Sequence, residues 1–270
     1  MVKNSLYYLW NHKKYKEDLH IYFKKIYPLN QNEMDEIMKK DDITIYKFFF
    51  DKFSISHDRE ERIKLRETEQ QRSSTYKIDF LSDNFDIKNK YILDIGTEDC
   101  FYIDKLNKFC TSYGINVESH EQYSYHSDKS CIKIYDGKNI PFKDNEFDII
   151  TIYMVLHHIT NIDDILYLLN DAKRVLKPNG VLLLREHDFN TEFDEYYIDF
   201  IHYYYELSFN ADFNEKYYKT YEKNYMSKYK LREILKKIGY VCTDNNFKKQ
   251  KVTIPKTTSR AYYTQYKNLK

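Results

Sequence analysis

The chain has 270 residues, 17% of them aromatic, and its 43 basic and 42 acidic side chains nearly cancel to a net charge of +1. There is enough apolar surface for one full-sized domain plus an accessory element, which excludes a disordered chain, and the balanced charge does not by itself announce a nucleic-acid binder. No apolar run reaches the roughly 18 residues needed to cross a bilayer, no secretory pattern opens the chain, and Cys100, Cys110, Cys131 and Cys242 lack CxxC spacing, so reduced thiols in a cytoplasmic protein without membrane contact are expected.

Residues 1–72 carry short helical patterns (Leu6, Leu9, Leu19, Ile21, Phe23, then Met34, Ile37, Met38) and a Phe48-Phe-Phe50 cluster, with no strand–glycine–helix unit. They are read as a helical N-terminal cap. Within it, the charged run from Asp58 to Gln71 sets Glu60, Lys64, Glu67 and Gln71 at helical spacing and predicts a solvated helix. From residue 73 to 270 the grammar changes. Apolar runs at 91–95, 115–118, 131–135, 147–153, 181–185, 240–247 and 260–267 are interleaved, over the first five, with amphipathic segments. That alternation predicts an α/β fold: a doubly wound, seven-stranded, mostly parallel Rossmann-like sheet, with an antiparallel pair formed by the last two strands. Residues 189–226, rich in Tyr, Phe and Asp, form an insertion between a strand and a helix, where such sheets place substrate-covering segments.

Only five glycines serve the whole chain. Gly114, Gly180 and Gly239 follow helical patterns and are expected to be left-handed helix caps, whereas Gly96 and Gly137 follow strands, where backbone turns tightly or approaches a ligand. Ligands of a doubly wound sheet sit beyond the carboxyl ends of its strands. Those ends read Asp94-Ile-Gly96, Glu118, Asp136-Gly137, Tyr153 and Arg185-Glu-His-Asp188. Three acids on successive strand ends disfavour a polyphosphate and favour a nucleoside bearing positive charge. One acid can take ribose hydroxyls and another an exocyclic amine.

Ile92-Leu-Asp-Ile-Gly96, Ile140-Pro-Phe142, Phe147-Asp148-Ile-Ile150, Val155-Leu-His-His158 and Arg174-Val-Leu-Lys-Pro-Asn-Gly180 together resemble the class I S-adenosylmethionine-dependent methyltransferases, in family order and at family spacing over roughly residues 76–267. The resemblance implies S-adenosylmethionine as cofactor. It puts Asp94 and Gly96 at the methionine end, Glu118 at the ribose, Asp136 with Gly137 and Lys138 beside adenine, and Tyr153 and Met154 near the sulfonium. One departure stands out: the glycine loop reads Gly96-Thr-Glu-Asp-Cys100, so Glu98 replaces a second glycine and Cys100 a third. Arg185-Glu-His-Asp188 with Asp199-Phe-Ile-His202 is similar to a pattern in methyltransferase-like proteins of large DNA viruses of eukaryotes, which would place the protein in a host cytoplasm.

Glu186, His187 and Asp188 are the candidate catalytic residues, as general base or as groups that position an acceptor. His157 and His158 are read as structural by default. No metal is assigned, since His187, Asp188 and His202 offer adjacent ligands on a turn, a weak pattern. Residues 214–270 hold fifteen basic and four acidic side chains, a net +11 interleaved with Tyr, and leave −10 on residues 1–213. That basic end makes RNA the expected acceptor and partner. The alternative is a catalytically inactive methyltransferase-like binding or regulatory subunit, motivated by Glu98 and by the absence of a recognisable catalytic tetrad. Oligomeric state is left open.

Overall fold

The structure is a computed structural model that describes residues 4–97, 100–117, 132–209, 223–243 and 261–269. Glu98, Glu118 and Cys131 lie outside the described residues, as do residues 210–222 and 244–260, which hold much of the basic C-terminal region. The chain divides into two compact units.

The first unit comprises Met1–Thr68, Phe189–Tyr221 and Ile254–Arg260. Its helices are α1 (Ser5–Trp10), α2 (Lys13–Ile26), α3 (Gln31–Ile37), α4 (Asp42–Ser56), the start of α5 (Arg59–Asn84) and α8 (Glu192–Phe209). Side-chain caps open several of them: Asn30 and Glu33 form a reciprocal capping box on α3, and Asp41 accepts the Thr44 amide at 3.0 Å at the start of α4. Leu6, Leu9, Leu19, Phe23, Phe49, Phe200 and Leu207 form the apolar core. Phe23 stacks on Phe49 with ring centroids 4.1 Å apart, which is where the Phe48-Phe-Phe50 cluster goes. Two buried carboxylates tie the unit together. Asp42 accepts the Ser5 and Leu6 amides at 2.9 and 3.0 Å, and Asp194 accepts the Tyr15 hydroxyl at 2.7 Å and the Thr191 amide at 3.0 Å.

The second unit comprises Glu69–Asp188, Glu222–Thr253 and Ala261–Lys270. It holds β1 (Tyr91–Ile95), α6 (Cys100–Leu106), β2 (Thr111–Asn116), β3 (Ile132–Ile134), β4 (Phe147–Tyr153), α7 (Ile162–Val175), β5 (Leu176–His187), α9 (Lys228–Ile238), β6 (Tyr240–Cys242) and β7 (Ala261–Asn268). The seven strands are ordered β3-β2-β1-β4-β5-β7-β6; the first five are parallel and β7 runs antiparallel to both its neighbours. The order reverses between β1 and β4, which makes that seam the switch point. Ile92, Ile149 and Leu183 belong to one core with Leu81, Ile103 and Leu106 from α5 and α6, while Leu93, Ile150, Ile152 and Leu182 belong to another with Leu168, Leu169, Leu231 and Leu235 from α7 and α9. These alternate sets are the two faces of the sheet.

The sheet is the one expected, with corrections. Only Gly239 is a left-handed helix cap, at φ 90° after α9. Gly114 lies inside β2, and a Cβ there would come within 2.7 Å of the Thr97 hydroxyl; it is a glycine for space. Helix α7 ends at Val175 with Leu176 already extended, and Gly180 sits in β5, where the pairing with β4 slips between Phe147 and Ile149. The α5 segment is not solvated all round, since Arg62, Arg66, Gln70 and Ser74 recur every four residues and are each at most 6% exposed. The Arg62 guanidinium lies 5.5 Å from the Phe53 ring and donates to the Ser54 hydroxyl at 2.7 Å; a long stem lets such a residue be buried. Cys100 is disulfide-bonded, against the expectation of reduced thiols, while Cys110 and Cys242 are free. No helix among the described residues is long and apolar enough to cross a membrane.

Asp194 is fully buried and bridges α2 to the turn before α8. Asp194→Ala strands the Tyr15 hydroxyl and the turn amides, so a loss of about 2–4 kcal/mol is expected in urea unfolding, with Tyr15→Phe losing less.

Candidate active site

At the carboxyl end of β1 the chain must leave the sheet without clashing with β4. Gly96 does so at φ 80°, and a Cβ there would strike the Val155 methyls, so both conformation and space require glycine. The turn is fixed from beneath. Asp94, 3% exposed, accepts the Thr97 hydroxyl at 2.7 Å and the Thr151 hydroxyl at 2.5 Å. The Gly96 and Thr97 amides donate to the Ile115 carbonyl at 2.8 and 3.1 Å, and the Asn116 side chain donates to the Thr97 carbonyl at 3.0 Å. Asp94 therefore holds the turn through Thr97 instead of projecting from it. Asn116 had no signal in the sequence, being an ordinary polar residue at the end of β2 whose role depends on a carbonyl nineteen positions away.

Across the seam, β4 ends at Tyr153, and Met154 adopts φ 60°. The other three non-glycine residues with positive φ among the described residues are Asn89, Asn145 and Asn179, a residue type that tolerates this region. For methionine it costs about 1–2 kcal/mol. The Met154 amide donates to the Arg185 carbonyl at 2.8 Å. The Tyr153 ring is buried on the α5–α6 face, 5.9 Å from Tyr102 and 6.0 Å from Tyr263, with the Lys77 ammonium 5.5 Å from its centre. Burial pushes the Tyr102 and Tyr153 phenols well above their ordinary range, with Asp94 adding to it at Tyr102 and Tyr102 adding to it at Tyr153, so both stay protonated.

After β3, Asp136 is exposed and forms a closed turn, its carboxylate accepting the Lys138 and Asn139 amides at 2.8 and 2.6 Å, with Gly137 at φ 81°. Lys138 is paired with Asp164 at 3.0 Å. Strands β1, β2 and β3 are neighbours, so Asp94 and Asp136 stand on the same end of the sheet either side of β2.

The acidic cluster at the end of β5 is turned inward. Glu186, 4% exposed, accepts the Val155 and Leu156 amides at 2.9 and 2.7 Å on one oxygen and meets His157 Nδ1 at 2.7 Å on the other. Burial pushes the Glu186 carboxyl up, but His157 and the loop amides outweigh it and the group lies below its ordinary value. His157 is buried, as the structural reading expects, in a short 3-10 turn (Leu156–His158) that precedes α7, while His158 is exposed. The His187 ring is buried 5.0 Å from that of His157, and Asp188 accepts the Lys228 amide at 3.0 Å at the start of α9. His202 lies in α8, where its Nδ1 is 2.9 Å from the Ile198 carbonyl. Strand β5 runs through His187, so Glu186 and His187 are strand residues and not part of a turn.

Two other motif residues hold the fold. Arg174 donates to the Ile140 and Phe142 carbonyls, both at 2.9 Å, and pairs with Asp171 and Asp144. Asp148, at the opposite end of the sheet, accepts the Tyr91 amide and the Lys177 ammonium, each at 2.9 Å.

Residues 93–184 match the family described as methyltransferase domain. A 51-residue stretch is 45% identical to demethylmenaquinone methyltransferase of Staphylococcus saprophyticus; it is 19% of this chain, and the chain spans only 21% of that protein's length. Among solved structures, a Haloferax volcanii methyltransferase in complex with the Trm112 activator aligns at a TM-score of 0.50 and 12% identity, over 77% of this chain and 97% of that one. A geranyl diphosphate methyltransferase in complex with S-adenosylmethionine aligns at 0.50 and 8% identity, over 77% and 89%. At such identities the likeness is one of fold: the second unit has the class I S-adenosylmethionine-dependent methyltransferase fold.

The Asn139 backbone and side chain, then the Lys138 backbone, draw the Asp136 carboxyl down to about 2. A lowered carboxyl contributes stability that is present above the unfolded value of about 3.9 and lost as pH falls through the folded one. An NMR titration should therefore place the Asp136 midpoint near 2, and Asn139→Ala should move it back up.

Proposed function

We propose that this chain is an S-adenosylmethionine-dependent methyltransferase whose cofactor lies over the carboxyl ends of β1 to β4. The observation that carries the reading is the Gly96 turn, left-handed, closed against Val155 and fixed by Asp94 at the switch point, inside the segment that matches the methyltransferase domain. The residues present fit such a group: a left-handed glycine turn fixed by a buried carboxylate at the switch point, and an exposed carboxylate two strands away. Gly96 would line the methionine end, with Asp94 acting beneath it through Thr97. Glu118, Asp136 and Gly137 would serve the nucleoside, and Tyr153 and Met154 the region of the sulfur.

Bound S-adenosylmethionine supplies an electrophilic methyl group on a sulfonium. Transfer of such a group by in-line displacement asks the protein mainly to orient two partners and exclude water. Here Asp94, Thr97 and Asn116 keep the turn in one shape. His187 and Asp188, beside the seam at the end of β5, remain the groups proposed to position or deprotonate an acceptor. RNA is proposed as that acceptor on the net +11 of residues 214–270. In the described part of that region, Tyr229, Lys230, Lys236 and Lys237 of α9 are exposed. The narrower likeness to viral proteins rests on residues 185–188 and 199–202 alone.

Calorimetry with S-adenosylhomocysteine tests the cofactor. The wild-type chain should bind, and Gly96→Val should weaken binding by more than about 100-fold, since the substitution both strains the turn and strikes Val155. No heat at millimolar ligand with folded protein ends the reading. For the acceptor, RNA affinity should fall steeply with salt, and a flat dependence removes RNA.

A further inference from the structure

Glu186 is engaged on both oxygens, yet none of its partners belongs to its own strand neighbourhood in sequence. All three, the Val155 amide, the Leu156 amide and the His157 ring, lie in one stretch that follows β4, about thirty residues earlier. One carboxylate thus fixes three consecutive residues. The stretch begins with Met154 in the left-handed region, and its amide is held by the carbonyl of Arg185, the residue before Glu186. Beyond this, Asn224 holds the His157 carbonyl with its amide at 2.8 Å, so the stretch is pinned at both ends.

What the stretch touches gives the pinning a consequence. The Val155 methyls fill the space over Gly96, where a Cβ would stand. Val155 has two backbone anchors nearby, its own amide on Glu186 and the preceding Met154 amide on Arg185. If the carboxylate is removed, the amides at 155 and 156 lose their buried acceptor, the residues that follow the left-handed Met154 are no longer held, and the valine is free to leave the turn.

We propose that Glu186 is a positioning residue that acts through Val155: it clamps residues 154–156 against the Gly96 turn and thereby sets the affinity of the cofactor site. This rests on the cofactor reading above and goes beyond it by giving Glu186 a role that requires no contact with an acceptor.

The test compares the full-length wild type with Glu186→Ala, Glu186→Gln and Val155→Ala by two readouts. The first is S-adenosylhomocysteine affinity by calorimetry. Glu186→Ala should bind at least about tenfold more weakly, Val155→Ala should also weaken binding, and Glu186→Gln should stay within about threefold of wild type, because an amide oxygen still accepts both backbone donors. The second is amide hydrogen exchange without ligand. The Gly96 and Thr97 amides, which donate to Ile115, should lose about tenfold of their protection in Glu186→Ala while the β1 and β4 core amides keep theirs. Wild-type affinity in folded Glu186→Ala, or a glutamine variant as weak as the alanine one, overturns the clamp. Should Glu186→Ala fail to fold, unchanged affinity and exchange in Val155→Ala overturn it instead. A wild type that binds no S-adenosylhomocysteine overturns the cofactor reading, and the exchange readout still decides whether the clamp exists.

Discussion

The buried carboxylate of Asp94 is the constraint around which the sheet end is built. A charge this enclosed is tolerated only if its lone pairs are met, and two hydroxyls meet it, one from the turn it supports and one from the neighbouring strand. That bond set ties β1, β4 and the Gly96 turn into one object. Asn116 and Ile115 add β2 to it through the same turn. The shape of the Gly96 turn is therefore set by three strands at once.

Much of this sheet was legible in the sequence, because strand content follows from local apolar pattern and β1 and β4 are bounded by turns. The glycine readings show where legibility stops. Gly239 ends a helix for a conformational reason that is local, and the pattern finds it. Gly114 is a glycine because Thr97, from the turn after β1, leans over it, a neighbour that the residues around Gly114 do not show, and Gly180 because Leu176 of the same strand folds back on it. The α5 segment fails for a related reason. Charged composition predicts exposure, but a guanidinium laid over Phe53 and bonded to Ser54 buries its stem without losing every polar contact.

At the site the same division holds. That Asp94, Gly96, Asp136 and Glu186 stand at strand ends was visible; what each side chain grips was not, because the partners lie across the sheet. Arg174 and Asp148 make the point from the other side. Both belong to the motifs that carry the family resemblance, and both are spent on carbonyls and amides that hold loops in register. A motif match of this kind reports the fold first, and chemistry only where a residue is left facing the crevice.

One economy connects these observations. A chain with five glycines cannot assign one to every sharp turn, so other residues carry the burden. Three of the left-handed positions are asparagines, whose short amide side chain tolerates them locally. Elsewhere a carboxylate gathers the backbone amides that a turn exposes: Asp42 for residues 5–6, Asp194 for the start of α8, Asp136 after β3 and Glu186 after β4. Among the described left-handed positions, Met154 has neither remedy of its own, being neither glycine nor asparagine. Its own amide and the two amides that follow it are held by β5, through the Arg185 carbonyl and the Glu186 carboxylate. Strain at that point and its restraint by the adjacent strand are thus two halves of one arrangement, and the arrangement ends on the turn that Asp94 supports from below.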